Sequence, residues 1–592
     1  MATTDDTSHQ PLITPAVMIR RALFLVMLLS LGIFYLFIDF RGLSDANGMD
    51  QAQIAREVAR GNGFVTKAIR PVSLWQTNQH RLDQQEETVP LAGFLDTYHA
   101  PLNPLFNAVI LSLFKGSWEY DPLKSIYFLD MVIAGASIVL LLCSIGISYL
   151  LIARIFDARI AGVTAFLLLL CELLWKFSQT GLPQMLMLFL FSFALYFLYK
   201  AVENTQQEKS PYLWAALAGG FFGLLALAHW ITIWIFVGAL IFSALYFRPR
   251  GLVALVLFGV FALPVSIWVV RNVDVTGDPA GSAKYVFYAG LSSGAESAVM
   301  RNADPENNQF VLDGFFVKTI NTSLRQLDSL YVFLGSVVVA PLFFLSLLHA
   351  FRRREIADFR WCILVMWVFA TLGMSLFGVT DGILDSNQIH ILFVPIMTAY
   401  GLAFLSILWN RLDLPMHIPV VRDGHLIIAI IISALPLVLT LPTNVKRGMY
   451  LKDRKMNYPP YAPPLTHALK DLVKEHEIVV SDQPWAVAWY ADRISLWLPK
   501  TVEQFDNLRT YSENRNQPFK GVLLSPISTN QPLARGIIAG EYSEWSPLIV
   551  QSAFHDARER RGSSFEQFPF PQPNALAGSE MVFYSERTGT DE

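Results

Sequence analysis

Charge is scarce in this sequence. Only 16% of its 592 residues are Asp, Glu, Lys or Arg, where an ordinary soluble domain carries about 25%. The net charge of −3 sets up no global field that would draw nucleic acid. Cysteine is scarcer still. Cys143, Cys171 and Cys362 all fall in apolar stretches and the last 150 or so residues have none, which excludes a disulfide framework or a cysteine metal site there. Internal repeats and long low-complexity tracts are missing too, and Asp-rich metal clusters are absent, so no obligate metal is expected. What is abundant is apolar surface: 53% of the chain is hydrophobic and Phe alone numbers 43. Lipid-facing area is the simplest sink for so much of it.

The apolar residues come in runs of membrane-crossing length. Residues 1–16 are polar and are expected to be disordered. Met18 to Phe40 follows Arg20 and Arg21, is longer than a signal-peptide core and has no small-residue cleavage site behind it, so it reads as a retained span. Further runs lie at 124–152, 160–175, 181–199, 212–229, 231–247, 251–270, 327–350, 361–378, 389–408 and 425–441. Together they predict about eleven spans. A shorter run, 101–114, reads as an interfacial helix. The basic residues orient the chain: Arg154/Arg159, Lys200/Lys209, Arg248/Arg250, Arg352 to Arg354 with Arg360, and Arg411/Arg422 occupy alternate connectors, as the positive-inside rule requires. Loops 41–123, 176–180, 271–326 and 379–388 and the tail from 442 then lie outside. The expected protein is a polytopic α-helical membrane protein of a bacterial or archaeal cytoplasmic membrane. Its parts are a transmembrane domain over 17–441, with the first outer loop at 41–123, and a small extracytoplasmic α/β domain over 442–592.

In the tail, Tyr458-Pro-Pro-Tyr461-Ala-Pro-Pro464 reads as a stiff linker and Leu465–Lys474 as a helix. Ile478–Ser481, Ser495–Leu498 and Gly521–Ser525 read as short buried strands. The aromatic run through Trp485, Trp489 and Tyr490 suits either carbohydrate stacking or core packing, and packing is the more economical reading.

The first outer loop is the informative part. From Asp45 onward Met49, Ala52, Ala55, Val58 and Ala59 recur at helical spacing, and Gly61 and Gly63 end the pattern. This predicts an amphipathic helix lying at the outer membrane surface, with Asp50 in its first turn. Taken alone, an acidic residue there does no more than favour the helix dipole. Lys67, Arg70 and His99 follow, and His99 leads into Ala100-Pro101-Leu102-Asn103-Pro104-Leu105.

The order of these pieces resembles the GT-C membrane glycosyltransferases, in particular the branch of the protein O-mannosyltransferases and the lipid A aminoarabinose transferases. The matching pieces are Asp50, Ile54-Ala55-Arg56, Gly61, Gly63-Phe64 and the His99-to-Leu105 segment. Downstream, Leu151-Ile-Ala-Arg154-Ile-Phe-Asp-Ala-Arg159 is similar to an inner loop of the family. Pro264, Trp268, Arg271-Asn272, Gly277 and Pro279 are similar to another segment, and Asn387 to His390 with Pro395 to a third. The resemblance covers roughly residues 18–441. It implies transfer of a sugar from a polyprenyl-phosphate carrier to a glycan, lipid or protein acceptor on the outer face, with inversion, and no nucleotide cofactor. It implies a first-loop carboxylate as base, Asp50 or alternatively Asp45. A lipid phosphate leaving group needs cations and donors near it. Lys67, Arg70, His99, Arg271, Arg325 and His390 are the candidates, with Gln184 facing the sugar. The sequence departs from the family in having Gln184 where relatives carry an acid and His390 where arginine is commoner. Met49 before Asp50 removes the acidic pair of the mannosyltransferases. A transporter or lipid-linked-sugar flippase is the alternative, opposed by the near absence of charge inside the spans and of inverted halves.

Overall fold

A computed structural model of the chain describes residues 15–121, 124, 126–291, 295–305, 312–378, 382–412, 415, 417–449, 461–553, 568–576 and 581–586. The N-terminus expected to be disordered lies almost wholly outside these residues, as does the 458–460 part of the proline linker. Among the described residues seven helices are long and apolar enough to cross a membrane: Ala22–Asp39, Phe128–Ile155, Gln184–Gln206, Leu252–Thr276, Arg354–Phe377, His390–Trp409 and Gly424–Lys446. Ala158–Leu169 and Glu172–Ser178, bent by 58°, make an eighth if taken as one span. Tyr212–Ala228 and Trp230–Tyr246 are shorter apolar helices, separated at His229 by one extended residue. The chain is therefore a polytopic helical membrane protein.

One expected span is not a continuous helix. Within 327–350 only Leu330–Phe333 and Leu342–Ser346 are helical after the end of the preceding helix. Gly335 and Ser336 take left-handed conformations and Pro341 follows, so the backbone turns where apolarity alone predicted a rod. Leu334, Val337, Val339 and Ala340 are buried in protein. Irregular backbone is tolerated at membrane depth only where neighbouring helices enclose it.

Residues beyond 460 build most of a six-stranded sheet. In chain order its strands are β1 (Ala68–Ile69), β2 (Ile478–Ser481), β3 (Ile494–Trp497), β4 (Phe519–Leu524), β5 (Gln572–Ala575) and β6 (Val582–Ser585). Their order across the sheet is β1-β3-β2-β4-β6-β5. The first four are mutually parallel, β6 runs antiparallel to β4, and β5 at the edge runs antiparallel to β6. The expected helix over 465–474 divides into Pro463–His467 and Leu469–Leu472. The tail does not complete this sheet alone, because β1 belongs to the first loop. Ala68 pairs with Ser495 and Ile69 with Leu496, and Ile69 and Leu74 join the apolar core of Ile478, Val480, Leu496 and Val522.

The shared sheet fixes where the first-loop helix lies. That helix spans Ala46–Arg60, with Asp45 as N-cap and Gly61 closing it in a left-handed conformation. Asp45 accepts from the N–H groups of Asn47 and Gly48 at 2.8 and 3.2 Å. Asp50 consequently sits in the second turn, not the first. Every residue from Gly48 to Glu57 is buried, so the helix does not lie on a membrane surface. Its apolar face packs on Phe40, Leu43, Leu129 and Ile133, and the tail covers its polar face. Arg56 donates to the carbonyls of Trp489 and Ala488 at 2.8 and 2.7 Å and pairs with Asp492 at 3.0 Å. At the helix start a Cβ on Gly48 would lie 2.1 Å from the Thr180 carbonyl oxygen, so only glycine lets the two backbones meet there.

Trp485, Trp489 and Tyr490 are buried. Trp489 Nε1 and the Tyr490 hydroxyl donate to the two carboxylate oxygens of Asp130, at 2.7 and 3.0 Å, which pins the tail to the end of the Phe128–Ile155 helix. These aromatics pack; they do not form an open stacking surface.

Candidate functional site

Asp50, Arg70 and His99 come together although 20 and 49 residues of chain separate the latter two from Asp50. Three local features bring them there. Asp50 is held by its helix. Arg70 follows β1 and directly precedes Pro71, which opens the Pro71–Asp83 helix from its favoured first position. His99 precedes the Leu102–Ser112 helix, and its backbone N–H donates to Asp96 at 2.8 Å.

The Asp50 Oδ2 atom accepts from Arg70 Nη2 at 2.6 Å and lies 3.0 Å from His99 Nε2. Its Oδ1 accepts from Gln53 Nε2 at 3.0 Å. Gln53 also donates to the Thr66 hydroxyl at 2.6 Å and accepts from the Lys67 N–H at 3.0 Å. Arg70 lies 3.9 Å from the centre of the Tyr98 ring, and the Tyr98 hydroxyl donates to Glu296 at 2.5 Å. Asp50 is 2% exposed and Arg70 6%. Burial alone would raise the Asp50 pKa, but the charge of Arg70 and the hydrogen bonds from His99 and Gln53 outweigh it and hold the carboxyl below the usual carboxylate range. Asp50 is therefore ionised, and His99 Nε2, facing an acceptor-only oxygen, carries the proton of that bond. Asp45 differs. Burial pushes it up to about 7, against the N–H groups of Gly48 and Asn47 and with help from Asp385 and Glu296.

His99 forms part of the wall of a cavity of about 610 Å³. Asn47, Gln51, Ser386 and Asn387 give it a polar side, and Lys284 and His229 also line it. The remaining wall is mainly apolar, with Trp230, Trp234, Val265, Val269 and Phe287 among its residues. It lies where helix ends meet the first loop. A mostly apolar chamber with a few convergent polar groups is the usual form of a binding site.

The other sequence candidates are engaged elsewhere. Lys67 pairs with Asp492 at 2.6 Å and with Glu57 at 3.3 Å. Gln184, fully buried, donates to the carbonyls of Asp385 and Ser386 at 3.0 and 2.9 Å and so supports the loop that supplies the cavity's polar side. Arg271 donates to the Asp96 carbonyl at 2.5 Å and lies 4.7 Å from the Trp268 ring centre. Arg325 is exposed on the Leu312–Asp328 helix. His390 accepts from Trp367 Nε1 at 3.1 Å, and its Nε2 lies 3.1 Å from the Gln326 side-chain oxygen. Gln53, Asp96, Lys284, His229 and Glu296 were not among the candidates. Only Gln53 carried a sequence signal, three residues from Asp50 on one helical face.

The structure resembles the crystal structure of ArnT from Cupriavidus metallidurans bound to undecaprenyl phosphate. The TM-score is 0.50 at 13% identity, over 96% of this chain and 99% of that one. The chain has the GT-C fold. The apo form of the Archaeoglobus fulgidus oligosaccharyltransferase is more distant, with a TM-score of 0.49 at 14% identity over 90% of this chain and 73% of that one. No family model and no curated protein sequence matches the chain.

Proposed function

We propose that this protein is a membrane glycosyltransferase that moves a sugar from a polyprenyl-phosphate carrier to an acceptor on the extracytoplasmic face, with inversion at the anomeric carbon. The observation that carries the reading is the Asp50–Arg70–His99 cluster, whose His99 lines a mainly apolar cavity at the helix ends. The ArnT likeness supports it at the level of fold, and that protein was crystallised with undecaprenyl phosphate. In this reading the apolar wall takes the start of the prenyl chain. Asn47, Gln51, Ser386 and Asn387 offer amides and a hydroxyl to the sugar. Lys284, paired with Asp278 at 3.0 Å and partly exposed, meets the phosphate, whose charge grows as the sugar departs. Proton removal from the acceptor centres on Asp50, with Arg70 holding that carboxylate in place. Arg271 and Gln184 support the walls, Lys67 ties the loop to the tail, and Asp45 caps the helix. The carrier itself brings the activated sugar, so no nucleotide enters.

The test uses full-length protein in native membrane vesicles, which supply acceptors, and undecaprenyl phosphate bearing labelled hexoses, pentoses or aminopentoses. Wild-type protein should transfer label from at least one donor. Asp50→Asn should lose about 100-fold or more in kcat, and Asp45→Asn far less. Full activity in both variants would sink the mechanism. Lipid flux across the membrane without transfer would make the protein a transporter.

A further inference from the structure

Asp50 does not itself line the cavity, whereas His99 does. We infer that Nδ1 of His99 is the atom that takes the acceptor's proton, and that Asp50 is a positioning residue behind it. The inference rests on the transfer reading above.

Asp50 is badly placed to take a proton directly. It is 2% exposed, and donors occupy both its oxygens: Gln53 on one, Arg70 and His99 on the other. Protonating a carboxylate so paired cancels the charge that its 2.6 Å ion pair with Arg70 depends on. His99 has the complementary arrangement. Its Nε2 is committed to Asp50, which selects the tautomer with a lone pair on Nδ1. Among the described residues Nδ1 has no hydrogen-bond partner and is not one of the enclosed, unpartnered polar atoms, and its ring lines the cavity. The imidazole is held on other sides as well. Asp96 fixes its backbone N–H at 2.8 Å, and the Tyr98 ring meets it edge-on, with centroids 4.9 Å apart and planes at 88°. The charged and titratable groups around it are Asp50, Arg70 at 3.5 Å from Nε2, Asp96, Tyr98 and, through the Tyr98 hydroxyl, Glu296. His229, Lys284 and Tyr288 share the cavity wall.

The step balances with the groups present. The Nδ1 lone pair takes the acceptor hydroxyl proton as that oxygen bonds to the anomeric carbon. The bond from that carbon to the carrier's phosphate oxygen breaks, and its electron pair leaves with the phosphate. The diester monoanion becomes a polyprenyl-phosphate dianion. The imidazolium formed stands against the Asp50 carboxylate and later gives its proton to water.

The experiment uses the donor found active in the vesicle assay, with variants whose thermal unfolding matches the wild type. His99→Gln should lose about 100-fold in kcat, keep its donor KM within about threefold, and lack the acidic limb of the wild-type pH profile. His99→Ala should regain activity with added imidazole, in proportion to the neutral form, whereas Asp50→Asn should not. A merely structural histidine would show neither the altered profile nor the rescue. Near-normal turnover in His99→Gln, with Asp50→Asn inactive, would overturn the inference and leave the transfer reading standing, with Asp50 as direct base. A wild-type protein that transfers from no donor would remove the reading, and the inference with it.

Discussion

Asp50 and Asp492 each gather basic side chains against the same first-loop helix, yet they do different work. Asp50 sits on the helix and faces Arg70 and His99 beside a cavity. Asp492 comes from the tail and meets Arg56, Arg60 and Lys67 at 3.0, 2.7 and 2.6 Å. Its backbone is left-handed at φ 56°, a conformation Asp tolerates better than most residues. The Asp492 cluster holds only permanent cations, beside a tail packed onto the helix. The Asp50 cluster includes an imidazole, with one nitrogen bonded to the carboxylate, and that ring borders the cavity. A clamp needs strong, fixed charges. A reacting site needs one weak, exchangeable proton and room for a substrate.

The comparison breaks most completely if the helix itself moves, since it carries partners of both clusters. Gly48→Ala puts a methyl group against the Thr180 carbonyl oxygen, and a displacement of about 1 Å in a positioned group can cost about 100-fold in rate. Transfer assays on folded protein should show that loss, and normal activity would mean that the helix start is not a fixed point. Arg70→Ala comes next. It leaves Asp50 buried without its main cation, at a cost of about 3 kcal/mol, and thermal unfolding in vesicles should reveal a lower transition. Asp492→Ala should cost only about 1 kcal/mol, because the carboxylate is 25% exposed and solvent screens its pairs. Its signature is local: the tail should become sensitive to protease while the helical bundle keeps its transition.

The same residue sets a pH dependence. Burial opposes its ionisation, but Arg56, Arg60 and Lys67 outweigh that and depress its folded pKa. A depressed carboxyl contributes stability above its unfolded pKa, about 4, and loses it as pH falls further. Protease resistance of the tail should therefore weaken in acid, and Asp492→Asn should flatten the dependence. The smallest effect is expected from Lys284→Met, which removes one partly exposed cation from the cavity. The KM for the lipid donor should rise about tenfold, the scale of one charge-assisted hydrogen bond, with kcat changing less. An unchanged KM would take Lys284 out of the proposed phosphate contact.

How much of this was legible depended on range. The Ala46–Arg60 helix was readable because its period and its closing glycine are adjacent in the chain, whereas its Asp45 cap was not singled out. β2 was readable as an apolar run with clear ends. β1 was not, because two residues carry no alternation. The burial of the helix's polar face was equally hidden, since Arg56 and Asp492 are 436 residues apart and nothing local distinguishes a solvated arginine from one that docks a tail. Asp50 and His99 could be singled out as separate motifs, but their contact could not. Lys284 and His229 carry no motif, and only the folding of the 271–291 segment and the His229 break around one chamber makes them neighbours.

The pairing of β1 with β3 also constrains the order of assembly. Lys67 and Asp492 lie 425 residues apart, and the backbone of Ser495 donates to Lys67 at 2.7 Å. A ribosome makes Asp50 early, but the strand that braces its loop comes only after nearly every membrane helix has been synthesised. The cluster can therefore reach its final shape only near the end of translation, and a chain that stalls before residue 495 carries Asp50, Arg70 and His99 without the strand that braces their loop.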